Sequence, residues 1–131
     1  MAAILMCAFV VSGCYSSTEY DKYPKGRFAA EGSLVGKWEA GHALLLLKKS
    51  GSFIATELKL EYFECSSGGV REKSGDGKWS ASEGRQSTEV VVKFQDGCSA
   101  TLWAGESDGA DVLWSDYSDR QQVLVLSAAD G

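Results

Sequence analysis

Short runs of alternating apolar and polar residues, separated by turn residues, fill the chain beyond residue 33. The alternation is clear in Ser52–Leu60, where Ile54, Leu58 and Leu60 are spaced to share one side of a strand. Neighbouring side chains of a strand point to opposite faces, so this spacing indicates half-buried β-structure. The pattern predicts eight strands: Leu34–Glu39, Ala43–Lys48, Ser52–Leu60, Gly77–Ala81, Thr88–Phe94, Ser99–Ala104, Ala110–Asp116 and Gln122–Ser127.

Nearly every connection between these strands is short enough for a hairpin, and hairpin residues stand at Lys49–Gly51, Asp96-Gly97 and Asp108-Gly109. Eight strands in one small domain leave two sheet edges, and closing the sheet removes both. We therefore predict an all-β fold, a single up-and-down antiparallel barrel of about eight strands that spans 34–131. Successive connections of such a meander alternate between the two ends of the barrel.

The chain before the barrel divides at Cys14. Residues 1–13 contain no charged side chain, and the apolar run Ala2–Val11 is too short to cross a bilayer, which needs ~20 apolar residues. That length is typical of a signal peptide, which we predict over 1–13. Residues 14–33 hold the single proline and show neither alternation nor helical spacing, so we predict a flexible tether.

The border of the apolar run resembles the bacterial lipobox, with an aliphatic residue and two small residues before a cysteine, Val11-Ser12-Gly13-Cys14. The resemblance implies a lipoprotein of the bacterial cell envelope, cleaved before Cys14 and anchored to a membrane there by acyl chains such as palmitate. Two or three chains would hold it stably, whereas one would be marginal. The alternative is an ordinary secretory signal in which Cys14 stands at the junction by chance.

The barrel sequence also resembles bacterial lipocalin-like small domains, which open with a Gly-x-Trp strand and repeat a glycine-led strand after the first hairpin. Gly36-Lys37-Trp38 and Gly77-Lys78-Trp79 stand at the corresponding places. The resemblance implies a lipocalin-like barrel over about 34–127. The two cysteines and the compact length depart from that pattern.

Charge narrows the choice of partner. All charged residues follow Cys14, and the net charge is −5. Nucleic acid is disfavoured as a partner because a phosphate backbone calls for a concentrated basic face. General attraction to anionic lipid is disfavoured as well, so we expect the membrane to be reached through the covalent lipid.

Cys65 and Cys98 are the cysteines left in the domain, and an even pair in an exported protein indicates a disulfide. Cys65 falls in the connection after the third predicted strand and Cys98 in the connection after the fifth, which a meander places at the same end of the barrel. Metal ligation by this pair is disfavoured because no C-x-x-C motif or nearby histidine accompanies it.

Catalytic motifs are missing from the sequence, so we predict neither an enzyme nor a cofactor other than the lipid on Cys14. His42 is the single histidine, and no P-loop, dinucleotide-binding or G-x-S-x-G motif occurs. Glu106, Asp108 and Asp111 allow a weak calcium site, but their spacing is not that of an EF-hand, and we predict no metal.

Two sets of residues are candidates for binding. Trp38, Trp79, Trp103 and Trp114 occur once each on four predicted strands, where they fill a small core or line an apolar pocket. If Trp103 and Trp114 point outward, they form a patch for a partner. The long connection Glu61–Asp76 faces away from the tether, and its candidate recognition residues are Tyr62, Phe63, Arg71 and Lys73.

These features favour a lipid-anchored extracytoplasmic binding module that holds a small apolar ligand or an envelope component. Alternatives are a structural envelope lipoprotein or an inhibitor. The segment Ser80–Arg85 resembles the serine-glycine-arginine loop of lipid-anchored bacterial inhibitors of C-type lysozyme, although Gln86 stands where those proteins carry an aromatic residue.

Overall fold

Eight antiparallel strands form a closed barrel, and a two-residue strand and one helical turn precede it. The computed structural model describes residues 23–63, 65, 70–117 and 122–129, with the backbone alone at 117, 122 and 123. The elements are β1 Lys25–Gly26, α1 Glu31–Leu34, β2 Gly36–Ala40, β3 Ala43–Leu47, β4 Ser52–Glu61, β5 Val70–Glu83, β6 Thr88–Phe94, β7 Ser99–Ser107, β8 Ala110–Tyr117 and β9 Gln122–Ala128. The predicted all-β fold is confirmed.

Each strand from β2 to β9 pairs with its neighbour in the sequence, as in an up-and-down meander. The barrel closes where β9 pairs with β2, with Trp38 opposite Ala128 and Glu39 opposite Ser127. Ala129 N also donates a 2.8 Å hydrogen bond to Lys37 O beside this seam. Closure gives each of the eight strands a paired neighbour on both sides, as predicted for a closed sheet.

Side chains fill the barrel interior. Phe94 packs against two other rings, Phe53 at 4.9 Å and Tyr62 at 5.6 Å between ring centroids, both edge-to-face. Aliphatic residues from six strands surround these rings, and the most deeply buried are Leu45, Leu47, Leu58, Leu60, Val90, Val92, Leu102, Leu113 and Leu126, each 0 % exposed. A core packed in this way holds the fold by burying apolar surface and leaves its volume to the protein's own side chains.

The alternation predicted along β4 is wrong for Ile54. Ala55 pairs with Gly75 and Leu58 with Lys73, so β4 has a bulge between them. Glu57 adopts a positive φ of 48° inside this bulge, and its N–H donates to Ser74 Oγ. A bulge shifts the facing of a strand by one residue. Leu58 and Leu60 therefore point inward, whereas Ile54 lies outside and is 39 % exposed.

The described part of the predicted tether, residues 23–33, packs against the barrel. Lys25 and Gly26 of β1 pair with Glu106 and Gly105 of β7, beyond the point where β6 begins. The segment is then tied to Thr88, whose hydroxyl accepts from Ala29 N at 2.8 Å. These contacts occupy the backbone groups that β7 would otherwise present at this edge. Alternation could not predict a strand of two residues.

After α1 the chain enters the barrel through Leu34, which is 2 % exposed. Trp38 Nε1 donates a 2.9 Å hydrogen bond to Leu34 O. The segment therefore closes the end of the barrel that carries the β3–β4, β5–β6 and β7–β8 turns.

The opposite end is held by the predicted disulfide. Cys65 follows β4 and Cys98 precedes β7, and the two sulfurs are bonded with their Cα atoms 4.9 Å apart. Phe63, two residues before Cys65, pairs with Ser99 through two backbone hydrogen bonds of 2.8 and 3.0 Å. The pairing inferred from the alternating ends of a meander is confirmed.

Candidate functional site

Two tryptophans lie side by side on the outer face of the barrel. Trp103 of β7 is directly opposite Trp114 of β8, and their ring centroids are 5.4 Å apart. Their strand neighbours Leu102 and Leu113 are buried in the core, so alternation directs both indoles outward. Both side chains remain half-buried. The arrangement is an aromatic cross-strand pair on a curved surface.

The N-terminal segment adds a wall to this pair. The Tyr23 ring lies 5.9 Å from Trp114 between centroids, and Pro24 follows it. Together they enclose a groove of about 540 Å³, here called the aromatic groove. It is lined by Tyr23, Pro24, Gly26, Arg85, Gln86, Ser87, Glu89, Trp103, Trp114 and Asp116. Its volume lies within the ~300–1,000 Å³ that small-ligand sites occupy.

Two glycines allow the wall to approach so closely. A Cβ atom on Gly26 would lie 2.7 Å from Gln86 O, and one on Gly105 would lie 2.8 Å from Lys25 O. The Gly105 position is also 3.1 Å from the Trp114 ring. Any side chain here would push β1 or the indole outward, so glycine at both positions fixes the shape of the groove.

Positively and negatively charged side chains surround the tryptophan pair. Arg85, Glu89 and Asp116 line the groove and form no ion pair with any described residue. Trp114 Nε1 is buried and has no hydrogen-bond partner in the described part of the chain. An aromatic floor with donors and acceptors around it can stack against a flat or apolar ligand face and orient polar groups.

The four predicted tryptophans divide between the core and the surface. Trp38 and Trp79 are 4 % and 6 % exposed and belong to the core. Trp79 Nε1 donates to Lys48 O at 2.9 Å, as the N–H of a buried indole requires. Trp103 and Trp114 are the pair that reaches the groove.

The predicted recognition loop is largely not a loop. β5 begins at Val70, so Arg71 and Lys73 lie on a strand. Tyr62 is 1 % exposed and its hydroxyl donates to Leu58 O, so its prediction as a surface residue is wrong. Phe63 is 58 % exposed. The first half of β5 was not predicted as a strand because the residues from Ser74 to Gly77 resemble a turn.

Lys73 has partners within the fold. Its Nζ donates to Asp96 Oδ2 at 2.6 Å and lies 5.1 Å from the centroid of the Phe94 ring. Asp96 Oδ1 also accepts from Cys98 N at 3.0 Å. The hydrogen bond from Lys73, reinforced by that from Cys98 N, holds the pKa of the Asp96 carboxyl below its usual range.

Several other predicted positions are not brought together. Cys14 and the residues of the lipobox lie outside the described residues. Asp111, one of three considered for calcium, pairs instead with Arg27. Within 23–63, 65, 70–117 and 122–129, no group of three or more His, Cys, Asp or Glu side chains could hold a metal ion.

The sequence analysis missed Tyr23, Pro24 and Glu89 of the aromatic groove. Tyr23 and Pro24 fall in the predicted tether, and the signal available for them was an aromatic ring beside the single proline of a polar stretch. Arg85 ends the segment that resembles the inhibitor loop and lies between β5 and β6, at the groove rim.

Comparison of the chain with known protein families, with curated proteins and with solved structures found no match. A search of the described helices for one long and apolar enough to span a membrane found none.

Proposed function

We propose that this protein is a lipid-anchored, extracytoplasmic binding module of the bacterial cell envelope, and that it recognises an envelope component through the aromatic groove. The observation that carries the proposal is the contrast between the two faces of the barrel wall. The inner face is packed with side chains, whereas the outer face presents Trp103 and Trp114 beside charged groups that form no ion pair with any described residue. A filled interior disfavours an internal apolar ligand and favours binding on the outside.

The anchor in this proposal is Cys14, on the basis of Val11-Ser12-Gly13-Cys14 and the apolar run before it. Tyr23, at the groove, follows Cys14 by nine residues. A chain of that length spans at most ~32 Å when fully extended. A lipidated Cys14 would thus keep the groove near the membrane surface, so the component recognised is one that lies close to that surface.

An inhibitor or protein-interaction role is the second candidate, and Arg85 is the observation that favours it. Its guanidinium group belongs to the groove and has no described ion-pair partner, so it is available to a carboxylate of a partner protein. An assay of C-type lysozyme activity with the purified chain tests this directly. Inhibition that is lost in Arg85→Ala would support the inhibitor role.

The binding proposal is tested by capture from an envelope extract with the detergent-solubilised full chain. Proteins, lipids and glycans retained by the wild type are compared with those retained by Trp103→Ala/Trp114→Ala. We expect at least one component to be retained by the wild type and lost in the double variant. Val35→Ala, which truncates an exposed apolar side chain outside the aromatic groove, is the matched control and should retain it.

The anchor is tested separately by Cys14→Ser. We expect the wild type in the membrane fraction and the variant in the soluble extracytoplasmic fraction. A variant that stays in the membrane would contradict lipidation at Cys14 and leave the groove proposal standing.

A further inference from the structure

A second groove lies over β4, β5 and β6 and carries a row of lysines. Lys78 of β5 is directly opposite Lys93 of β6 and also opposite Ser52 of β4. Lys48 N donates to Ser52 O at 2.9 Å, which extends the same row to the end of β3. All three lysines are exposed on the outer face. Adjacent strands lie ~4.8 Å apart, so the row is short and its ammonium groups share one small surface.

This placement is unfavourable for the protein alone. Like charges directly opposite one another on neighbouring strands destabilise a sheet. Lys48, Lys78 and Lys93 form no ion pair with any residue in the described part of the chain. Asp76 lies in the same groove, and its carboxylate is within 3.5 Å of Gln95 Nε2. With three lysines and one carboxylate, the groove keeps a positive balance in a protein whose net charge is −5.

An apolar surface adjoins the lysines. The groove has a volume of about 450 Å³ and runs across a part of β5 that contains Gly77. A Cβ atom on Gly77 would lie 2.0 Å from Lys93 O, so no side chain fits there. The bulge in β4 turns Ile54 into this groove, where it is 39 % exposed. The methylene stems of the lysines extend the apolar lining, as amphipathic side chains do.

We propose that the lysine groove, defined by Lys48, Lys78, Lys93 and Ile54, binds a single-chain anionic amphiphile in its monomeric form. The phosphate or carboxylate of the ligand contacts Lys78 and Lys93, and its aliphatic part covers Ile54 and the glycine gap. Charge complementarity selects an anion, and the adjoining apolar lining selects an amphiphile over a free inorganic ion. The acidic balance of the whole chain disfavours the alternative that this row docks on an anionic membrane surface.

The test is an NMR titration of the full chain in nonionic detergent with hexyl phosphate, following the backbone amides of β4, β5 and β6. We expect saturable shifts there, with weaker binding at higher salt. Lys78→Gln/Lys93→Gln should weaken binding at least tenfold, because each contact to a charged group is lost. Lys78→Arg/Lys93→Arg keeps both positive charges and should retain binding. Retained binding would show that the loss of binding in the glutamine variant comes from the missing charges and not from a folding defect. Lys25→Gln/Lys37→Gln removes the same charge elsewhere and should bind like the wild type.

Three further ligands test which part of the amphiphile the lysine groove recognises. Inorganic phosphate and hexanol should each bind at least tenfold more weakly than hexyl phosphate. Equal binding of inorganic phosphate would overturn the role of Ile54, and unchanged binding in the glutamine variant would overturn that of the lysines. Phosphatidylglycerol vesicles that bind through Lys78 and Lys93 while hexyl phosphate does not would show a membrane-docking face and overturn the proposal. None of these outcomes bears on the aromatic groove.

Discussion

Trp103 and Trp114 stand directly opposite each other on β7 and β8, with ring centroids 5.4 Å apart on the outside of the barrel. The two strands bury Leu102 and Leu113 on the inside, so the same alternation that builds the core also exposes the tryptophan pair. The barrel is thus a filled scaffold, and the surface that we propose for recognition lies on its outer wall.

The tryptophans of the core and of the groove should respond differently to truncation. Trp79→Ala removes a buried indole and should lower the free energy of unfolding by ~3–5 kcal/mol. Trp103→Ala removes one member of a half-buried cross-strand pair and should cost ~1 kcal/mol or less. Urea denaturation measures both. A larger loss for Trp103→Ala than for Trp79→Ala would mean that the outer pair is mainly structural.

Gly105→Ala should loosen β1 from the barrel. The added Cβ atom would meet Lys25 O at 2.8 Å and the Trp114 ring at 3.1 Å, so backbone or indole must move. We expect a loss of ~1–3 kcal/mol in unfolding free energy and faster amide exchange around β1.

Gly32→Ala is the matched control for that substitution. It lies within α1, and a Cβ atom there meets nothing within 4 Å. Replacing a helical glycine by alanine should stabilise the protein by ~0.5–1 kcal/mol. Equal effects of the two alanine substitutions would contradict close packing of β1 against β7.

Much of the fold can be predicted from the sequence, because a barrel strand that buries one face alternates apolar and polar residues, and this alternation is visible in the sequence. β6 is the clearest case, since its buried residues Val90, Val92 and Phe94 alternate with more exposed ones. The bulge of β4 escaped prediction because Glu57 carries its positive φ without a glycine to mark it. β1 escaped because its two residues form a strand only where β7 extends past β6.

The groove was harder to predict than the fold. The outward pair was foreseeable as an alternative, since Trp103 and Trp114 share a hairpin, but the facing of each depends on register. Tyr23 contacts Trp114 because the N-terminal segment packs against the barrel. A contact between residues so far apart in sequence cannot be predicted from the local pattern. Tyr62 seemed a loop residue because its burial depends on contact with Phe94, far away in sequence.

Removal of the disulfide should destabilise the barrel without changing its topology. Cys65 and Cys98 are 33 residues apart, and the loss of such a closure costs ~3–4 kcal/mol in the chain-entropy model. Thermal unfolding of Cys65→Ala/Cys98→Ala, compared with the oxidised and reduced wild type, measures this. The reduced wild type should match the double variant. A variant as stable as the oxidised wild type would show that the bond contributes nothing to stability.

The stability of the fold should depend on pH through the hydrogen bond between Lys73 and Asp96. The hydrogen bond from Lys73 Nζ lowers the pKa of Asp96 in the folded state. A lowered folded pKa gives stability that is fully present above the unfolded value of ~3.9 and is lost as the pH falls through the folded value. Lys73→Met should raise the Asp96 pKa, as measured by NMR of the carboxyl carbon, whereas Lys37→Met should leave it unchanged. The same Asp96 pKa in all three proteins would contradict the role given to Lys73.

Recognition through the aromatic groove is tested most directly by photo-crosslinking in intact cells from a benzoylphenylalanine placed at position 86, on the exposed rim of the groove. Position 42, exposed in the β2–β3 turn at the other end of the barrel, serves as the control. We expect a discrete adduct with an envelope component from position 86 and none of the same kind from position 42. The adduct from position 86 should be lost when Trp103→Ala/Trp114→Ala is added. An adduct that survives the loss of both tryptophans, or no adduct from position 86, would contradict recognition through the aromatic groove.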